Sequence, residues 1–383
     1  MIRRFRNAML LSIIIIVGLC LGGCGLREQA REVDELLVMQ TMGLDSDPRG
    51  VLLSLSSAAG AAPDNPPVRL QSAGASITTA LEHIRVGANE EDLFCAHIGH
   101  LLIGEAAARK GIRPALDYVC RSGDLRLSVP LYILRERDAQ EAVLGTGDKS
   151  FGICDALDSV DADLRARGDG HCASAADILR DLERYDSALV CAVAFRPSAE
   201  DDQSAGAEDR PQTVLPDGYA VLKGGALCGF LDRGQAVGVG FLTGNTGICE
   251  LTVTDQAGLP VTLMLTGGKC TLEPRWTDDG RLEALGVQVE AEALLAEGSA
   301  SNTSLDYLEM MLERALSERV RQVLQLSKQW KADFLGLEGR LERLSPRKMR
   351  ALNPDFAARW PSLPLTVSVS ARLTGTGDVE DRP

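Results

Sequence analysis

The sequence predicts a multi-domain α+β chain, with mixed β-sheets, helices packed on them, and a long amphipathic helix in the C-terminal domain. Three observations lead there. Between residues 36 and 195 apolar strand-like runs alternate with short helical ones, the pattern of a mixed sheet carrying helices. From residue 214 the texture changes to strands broken by Gly-rich turns. Between residues 304 and 330 apolar positions recur every three or four residues, the period of a helix with one buried face.

The chain begins with a segment that is not part of that fold. Arg3, Arg4 and Arg6 precede an apolar run over 8–21, which ends in Leu21-Gly22-Gly23-Cys24. A basic start, a short apolar stretch and small residues before a cleavage point are the layout of a signal peptide. The run is short for a spanning helix, which needs about 20 apolar residues. Leu-Gly-Gly-Cys resembles the lipobox of bacterial lipoproteins. That resemblance implies a diacylglycerol on the Cys24 thiol, cleavage before it, and further acyl chains such as palmitate. An uncleaved anchor or a plain secretory cleavage site are the competing readings.

Composition is ordinary for a globular chain of 383 residues, 45% hydrophobic and 25% charged. Aromatics make up only 4%, so Leu, Val, Ile and Ala must build the cores. The net charge of −14 argues against gripping phosphate backbones, so nucleic acid is not an expected partner. Anionic headgroups would also repel the body, which leaves the lipid as the membrane contact. Beyond Cys20 and Cys24, eight cysteines remain, with no C-x-x-C pair. They read as small buried hydrophobes, with disulfides left open.

In chain order, strands are predicted over 36–44 and 51–55, joined by the turn formers Asp45 to Gly50, and over 68–74. Ser76 caps a helix whose Ala80, Leu81 and Ile84 share a face. A buried strand covers 100–104, helices follow over 105–110 and 115–120, and a strand over 125–134 carries Pro130 as an edge or bulge. Asp138 caps a helix through Leu144, Ser174 another through Leu182, and 188–195 is a strongly apolar strand. Residues 145–175 carry no clear pattern. Residues 196–213 are acidic and Pro-containing, read as a linker. The domains are therefore 1–23 as signal peptide, 24–195, the linker, and 214–383, with 214–260 readable as a separate small β subdomain. In the last part, Lys223-Gly224-Gly225 turns a hairpin, and strands are predicted over 237–242, 248–253, 261–265, 285–292 and 365–373. The long helix is capped by Asn302, Thr303 or Ser304 and buries Leu308, Leu312, Val320 and Val323. Gly336 interrupts it, and Ser345-Pro346 starts another.

Four stretches together resemble the Ger(x)C lipoproteins, the C subunits of spore germinant receptors. They are the lipobox Leu21 to Cys24 with Val38 to Asp45 after it; His97 to Glu105 with Gly111 to Tyr118; Gly218 to Gly225; and Lys331 to Gly336 ahead of Trp360-Pro361 and the closing strand. One departure is that Gly25-Leu26-Arg27 stands where the family often has Trp-Asp. The resemblance implies GerAC-like N- and C-terminal domains and a non-enzymatic scaffold or signalling subunit. It also implies germinant receptor A and B subunits as partners, on the outer face of the spore inner membrane. The alternative is an extracytoplasmic solute-binding lipoprotein of a transporter, and a surface hydrolase comes third.

No catalytic constellation is visible: there is no G-x-S-x-G and no Walker loop. Glu90-Glu91-Asp92 reads as a solvated loop. His97 and His100 stand three apart but adjoin a strand start with no evident third ligand, so structural hydrogen bonding is expected and no metal or cofactor beyond the lipid on Cys24. Trp330, Asp333 and Phe334, at the end of the long helix, are the candidate partner-contact residues. The competing reading has the two rings in the core and Asp333 bonding locally.

Overall fold

The computed structural model describes residues 36–58, 66–87, 93–145, 152–167, 172–197, 212–298, 304–352 and 356–375. The leader, Cys24, residues 88–92 and most of the expected linker lie outside them. Contacts divide the chain after Leu37, and Val38–Pro383 form one unit.

The first sheet has the order β3-β2-β1-β5-β6-β7-β8-β9, with β4 (Leu93–Phe94) paired to β1. Strands β1 (Leu37–Asp47), β2 (Gly50–Ser57) and β3 (Arg69–Gly74) form an antiparallel meander. Its first turn falls where Asp47 accepts the Arg49 amide at 2.9 Å. The centre is parallel: β1, β5 (His100–Ile103), β6 (Leu131–Leu134) and β7 (Ser187–Pro197). Parallel neighbours need crossovers, which are supplied by α2 (Glu105–Lys110) and α3 (Arg113–Arg121), then by α4 (Ala139–Leu144), α5 (Ile153–Arg167) and α6 (Ala175–Tyr185). Helix α1 (Ile77–Gly87) follows β3; Ser76 Oγ accepts the Thr79 amide at 3.2 Å and so caps it. Helices α4 and α5 bury Val143, Leu157 and Val160 against Leu102, Tyr132, Cys191 and Val193.

Two expectations change in this half. The strand expected over 125–134 is reduced to β6. Pro130 has no amide to donate, and the carbonyls of Leu127 and Val129 turn aside to accept the Ala176 and Ala175 amides that open α6, at 3.0 and 2.9 Å. The sheet also continues across the expected linker. β7 pairs with β8 (Gln212–Lys223) from Ser187↔Lys223 to Pro197↔Gln212, and β9 (Ala226–Leu231) completes the edge. Residues 214–231, assigned from the sequence to the C-terminal domain, therefore lie in strands that finish the first sheet. The boundary was read from composition, which does not report strand pairing.

The second sheet runs β10-β11-β12-β13: β10 (Cys249–Thr254), β11 (Pro260–Trp276), β12 (Leu282–Glu297) and β13 (Leu365–Gly375). The first three are antiparallel, and β13 joins parallel to β12. The segment 237–242, expected as a strand, is helical within α7 (Arg233–Thr243). An Asp232–Gln235 capping box starts the helix, and Gly244 ends it in the left-handed conformation; together they outweigh the β-branched valines. Gly238 lets α7 lie on the long helix: a Cβ there would stand 2.9 Å from the Arg319 carbonyl.

That long helix, α8 (Leu305–Gln329), is capped by Ser304, whose hydroxyl accepts the Tyr307 amide. It buries Leu308, Leu312, Leu316, Val320 and Val323 in the core of the second sheet. It also covers an edge. Glu309 and Glu313 accept the Leu373 and Ala371 amides of β13 at 2.8 and 3.0 Å, and Arg321 donates to the Val367 carbonyl. An exposed strand edge is a template for unwanted pairing, and α8 occupies these groups. α9 (Leu337–Leu344), α10 (Pro346–Leu352) and α11 (Phe356–Arg359) lead to β13.

Candidate functional site

The stretches that carry the family resemblance meet in a connected series of contacts. On β1, Thr41, Gly43 and Asp45 face α4 and α5. On β5 and just beyond, His100, Leu102 and Gly104 face the same way, since alternate residues share a face. Each position is fitted to its neighbour. A Cβ on Gly43 would stand 2.8 Å from Val143, and one on Gly104 would meet the Asp45 carboxylate. Asp45 uses that space to reach α4. Its two oxygens accept the Ala139 and Gln140 amides at 2.7 and 2.6 Å.

The first amides of a helix have no partner inside it, and here the cap comes from a residue far away in sequence. Asp138, at the N-cap position where the sequence placed the capping group, makes no such bond. Burial pushes the Asp45 carboxyl up to about 6, while the two amides pull it back.

A second buried carboxylate stands where α8 ends. Lys331 and Gly336 adopt left-handed backbone, which lets the chain reverse. Asp333 then accepts the Leu337 and Glu338 amides of α9, both at 2.8 Å. Burial pushes its carboxyl up to about 7; the bonds from Glu338 and Leu337 oppose this, and so does the charge of Lys223. Trp330 is half-buried, its ring against Gly229, where a Cβ would stand 2.4 Å from it. The Trp330 and Phe334 rings are 6.2 Å apart, and Phe334 is buried. Beneath them Ser327 donates to the Ala332 carbonyl at 2.6 Å and accepts from Trp360 Nε1 at 2.9 Å.

The β8–β9 turn connects the two corners. Gly225 accepts the Ile112 amide at 2.8 Å, and Gly224 accepts from Arg113 Nε at 3.1 Å. Gly225 has φ 87°, and a Cβ on it would stand 2.7 Å from the Arg113 side chain. The turn thus serves as a hairpin, as its sequence predicts, and as a seat for the α2–α3 connection.

Beside Asp45 a cleft of about 510 Å³ opens at the carboxyl ends of β1 and β5, the end where open α/β sheets bind ligands. Ile77, Ile103, Ile112 and Tyr118 give it an apolar wall, and Lys110 and Arg121 are cations on it. Among the described residues its lining holds no histidine or cysteine.

Two family models match the chain. One, described as the spore germination protein N-terminal domain, covers residues 29–145; the other, described as spore germination B3/GerAC-like, C-terminal, covers residues 217–377. The chain belongs to the Ger(x)C spore germination family. A solved structure described as the crystal structure of the GerBC protein has the same fold. Its TM-score is 0.55 at 16% identity, over 87% of this chain and 96% of that one. No curated protein matches the chain.

Of the residues expected to meet a partner, the structure brings Trp330, Asp333 and Phe334 together, with Asp333 and Phe334 inside the chain's own core. Cys24 lies outside the described residues. Asp45 and Gly104 were missed as a pair. The signal was present in Thr41-x-Gly43-x-Asp45 and His100-x-Leu102-x-Gly104, where small and acidic residues occupy same-face positions of apolar strands. His97 is exposed and packs near Phe94, with ring centroids 5.8 Å apart, whereas His100 is buried beside Cys154 and Asp158.

Proposed function

We propose that this chain is the lipid-anchored C subunit of a nutrient germinant receptor. It acts as a non-enzymatic scaffold and signalling component beside the receptor A and B subunits, on the outer face of the spore inner membrane. The observation that carries this reading is the pair of germination-family matches in order along one chain, over 29–145 and 217–377. The leader supports the anchor: an arginine-rich start, an apolar run and Leu21-Gly22-Gly23-Cys24. No described helix is long and apolar enough to cross a membrane. One acyl chain binds only reversibly, and two or more on Cys24 hold the protein stably.

The test is to purify the chain from spore membranes and measure the mass of its N-terminal peptide. A diacylglycerol-modified Cys24 at the mature N-terminus is the expected result. Spores carrying Cys24→Ala should lose the response to their nutrient while responding normally to a receptor-independent trigger. An unmodified, uncleaved N-terminus would rule out the anchor. A normal nutrient response in the variant would remove its role.

A further inference from the structure

Helix α5 and strand β5 bring three unlike donor groups to one place. His100 opens β5 on the face that α5 covers, and its Nε2 is 3.1 Å from Asp158 Oδ1. Cys154 and Asp158 are one turn apart on α5, the i, i+4 spacing that puts two side chains on one helix face. One donor atom from each of the three lies within 4.8 Å of the other two. His100 and Cys154 are buried, whereas the Asp158 side chain is 69% exposed, so the group opens to solvent on one side.

The surroundings are short of hydrogen bonds. Buried polar side chains are normally paired, and each exception calls for an explanation. Here His100 Nδ1, Thr41 Oγ1 and the Tyr132 hydroxyl make none of good geometry among the described residues. Thr41 is paired with His100 across β1 and β5, and the Tyr132 ring lies 5.7 Å from the imidazole. The nearest groups to the two hydroxyls include the sulfurs of Cys154 and Cys172, which are weak partners.

We propose that His100 Nε2, Cys154 Sγ and an Asp158 carboxylate oxygen form a binding site for a zinc-class divalent cation, with a fourth, solvent-side position for water. Nitrogen, sulfur and oxygen together suit zinc, whereas calcium and magnesium prefer oxygen alone. Tetrahedral zinc with bonds of about 2.0–2.3 Å sets its ligands about 3.3–3.8 Å apart. The His100–Asp158 spacing is already near that, and the exposed Asp158 side chain has room to adjust. Ligation takes the Cys154 thiolate, so binding releases the thiol proton to water. The bound ion ties α5 to β5 of the first sheet.

The experiment uses the full-length chain in detergent, stripped with a chelator and titrated with Co²⁺ as the probe, then with Zn²⁺ in competition. One equivalent of cobalt with a thiolate-to-metal charge-transfer band is expected, displaced by zinc. Cys154→Ala should abolish that band. Asp158→Asn, an exposed change that leaves the fold intact by circular dichroism, should weaken binding at least tenfold. Zinc should raise the melting temperature of the parent chain and not that of Cys154→Ala. Failure of the stripped chain to take up cobalt, or uptake that survives Cys154→Ala with its charge-transfer band, would overturn the proposal.

Discussion

Asp45 and Asp333 solve one problem in two ways. Each is a buried aspartate that caps a helix through two backbone amides, and burial raises the carboxyl of each. Asp333 caps a helix four residues downstream, so it fixes a local reversal. Asp45 reaches α4 across the sheet, 94 residues away, so it fixes how a helix docks on a strand. The first device shapes a corner, and the second holds a tertiary arrangement. Both lie within the residues matched by the family models, and in this chain both serve the fold.

The comparison gives four expectations, read by chemical denaturation of the full-length chain in detergent. Asp45→Ala should show the largest loss, about 3 kcal/mol, because two buried amides of α4 lose their acceptor and the helix loses its tie to β1. Asp333→Ala should cost less, about 2 kcal/mol, since it caps a local reversal that the Ser327–Ala332 bond and Gly336 also hold. Equal losses at pH 7 would break that distinction.

The third expectation concerns pH. Both carboxyls sit above the ordinary 3.8, so between about pH 4 and pH 7 the folded chain holds protons that the unfolded chain has released. The part of their stability that depends on holding the proton is fully present below about 4 and is lost as pH rises through 6 for Asp45 and 7 for Asp333, with a slope of at most about 1.4 kcal/mol per pH unit per group. Asp333→Asn should flatten the upper part of that fall and leave the lower part to Asp45. The smallest effect belongs to Arg184→Ala. Its 3.1 Å ion pair with Glu342 joins α6 to α9, yet both side chains are about half exposed, so the loss should stay below about 0.5 kcal/mol.

What the sequence made legible follows from local rules. The β1–β2 hairpin, the Ser76, Ser174 and Ser304 caps, the Lys223-Gly224-Gly225 turn and the face of α8 are all written within a few residues of where they act. The local bonding of Asp333 was readable for the same reason. What stayed hidden depends on residues far apart. Asp138 stands in the capping position of α4, but Asp45 supplies the bond. Residues 214–231 follow an apparent linker, yet β8 pairs with β7 and β9 with β8. Valines and glycines at 237–242 mimic a strand until the Asp232–Gln235 box and Gly244 are weighed. The neighbours of His100 lie more than 50 residues downstream on α5, a segment without a clear pattern in the sequence.

In the proposed function this acidic body works by assembly with other receptor subunits. The most direct measurement is quantitative affinity capture of the tagged full-length chain from inner membranes of dormant spores. The account predicts recovery, in near-equal amounts, of a polytopic transporter-like subunit and a second subunit with a soluble domain. Recovery of the chain alone, or with the permease of a solute transporter, would contradict it.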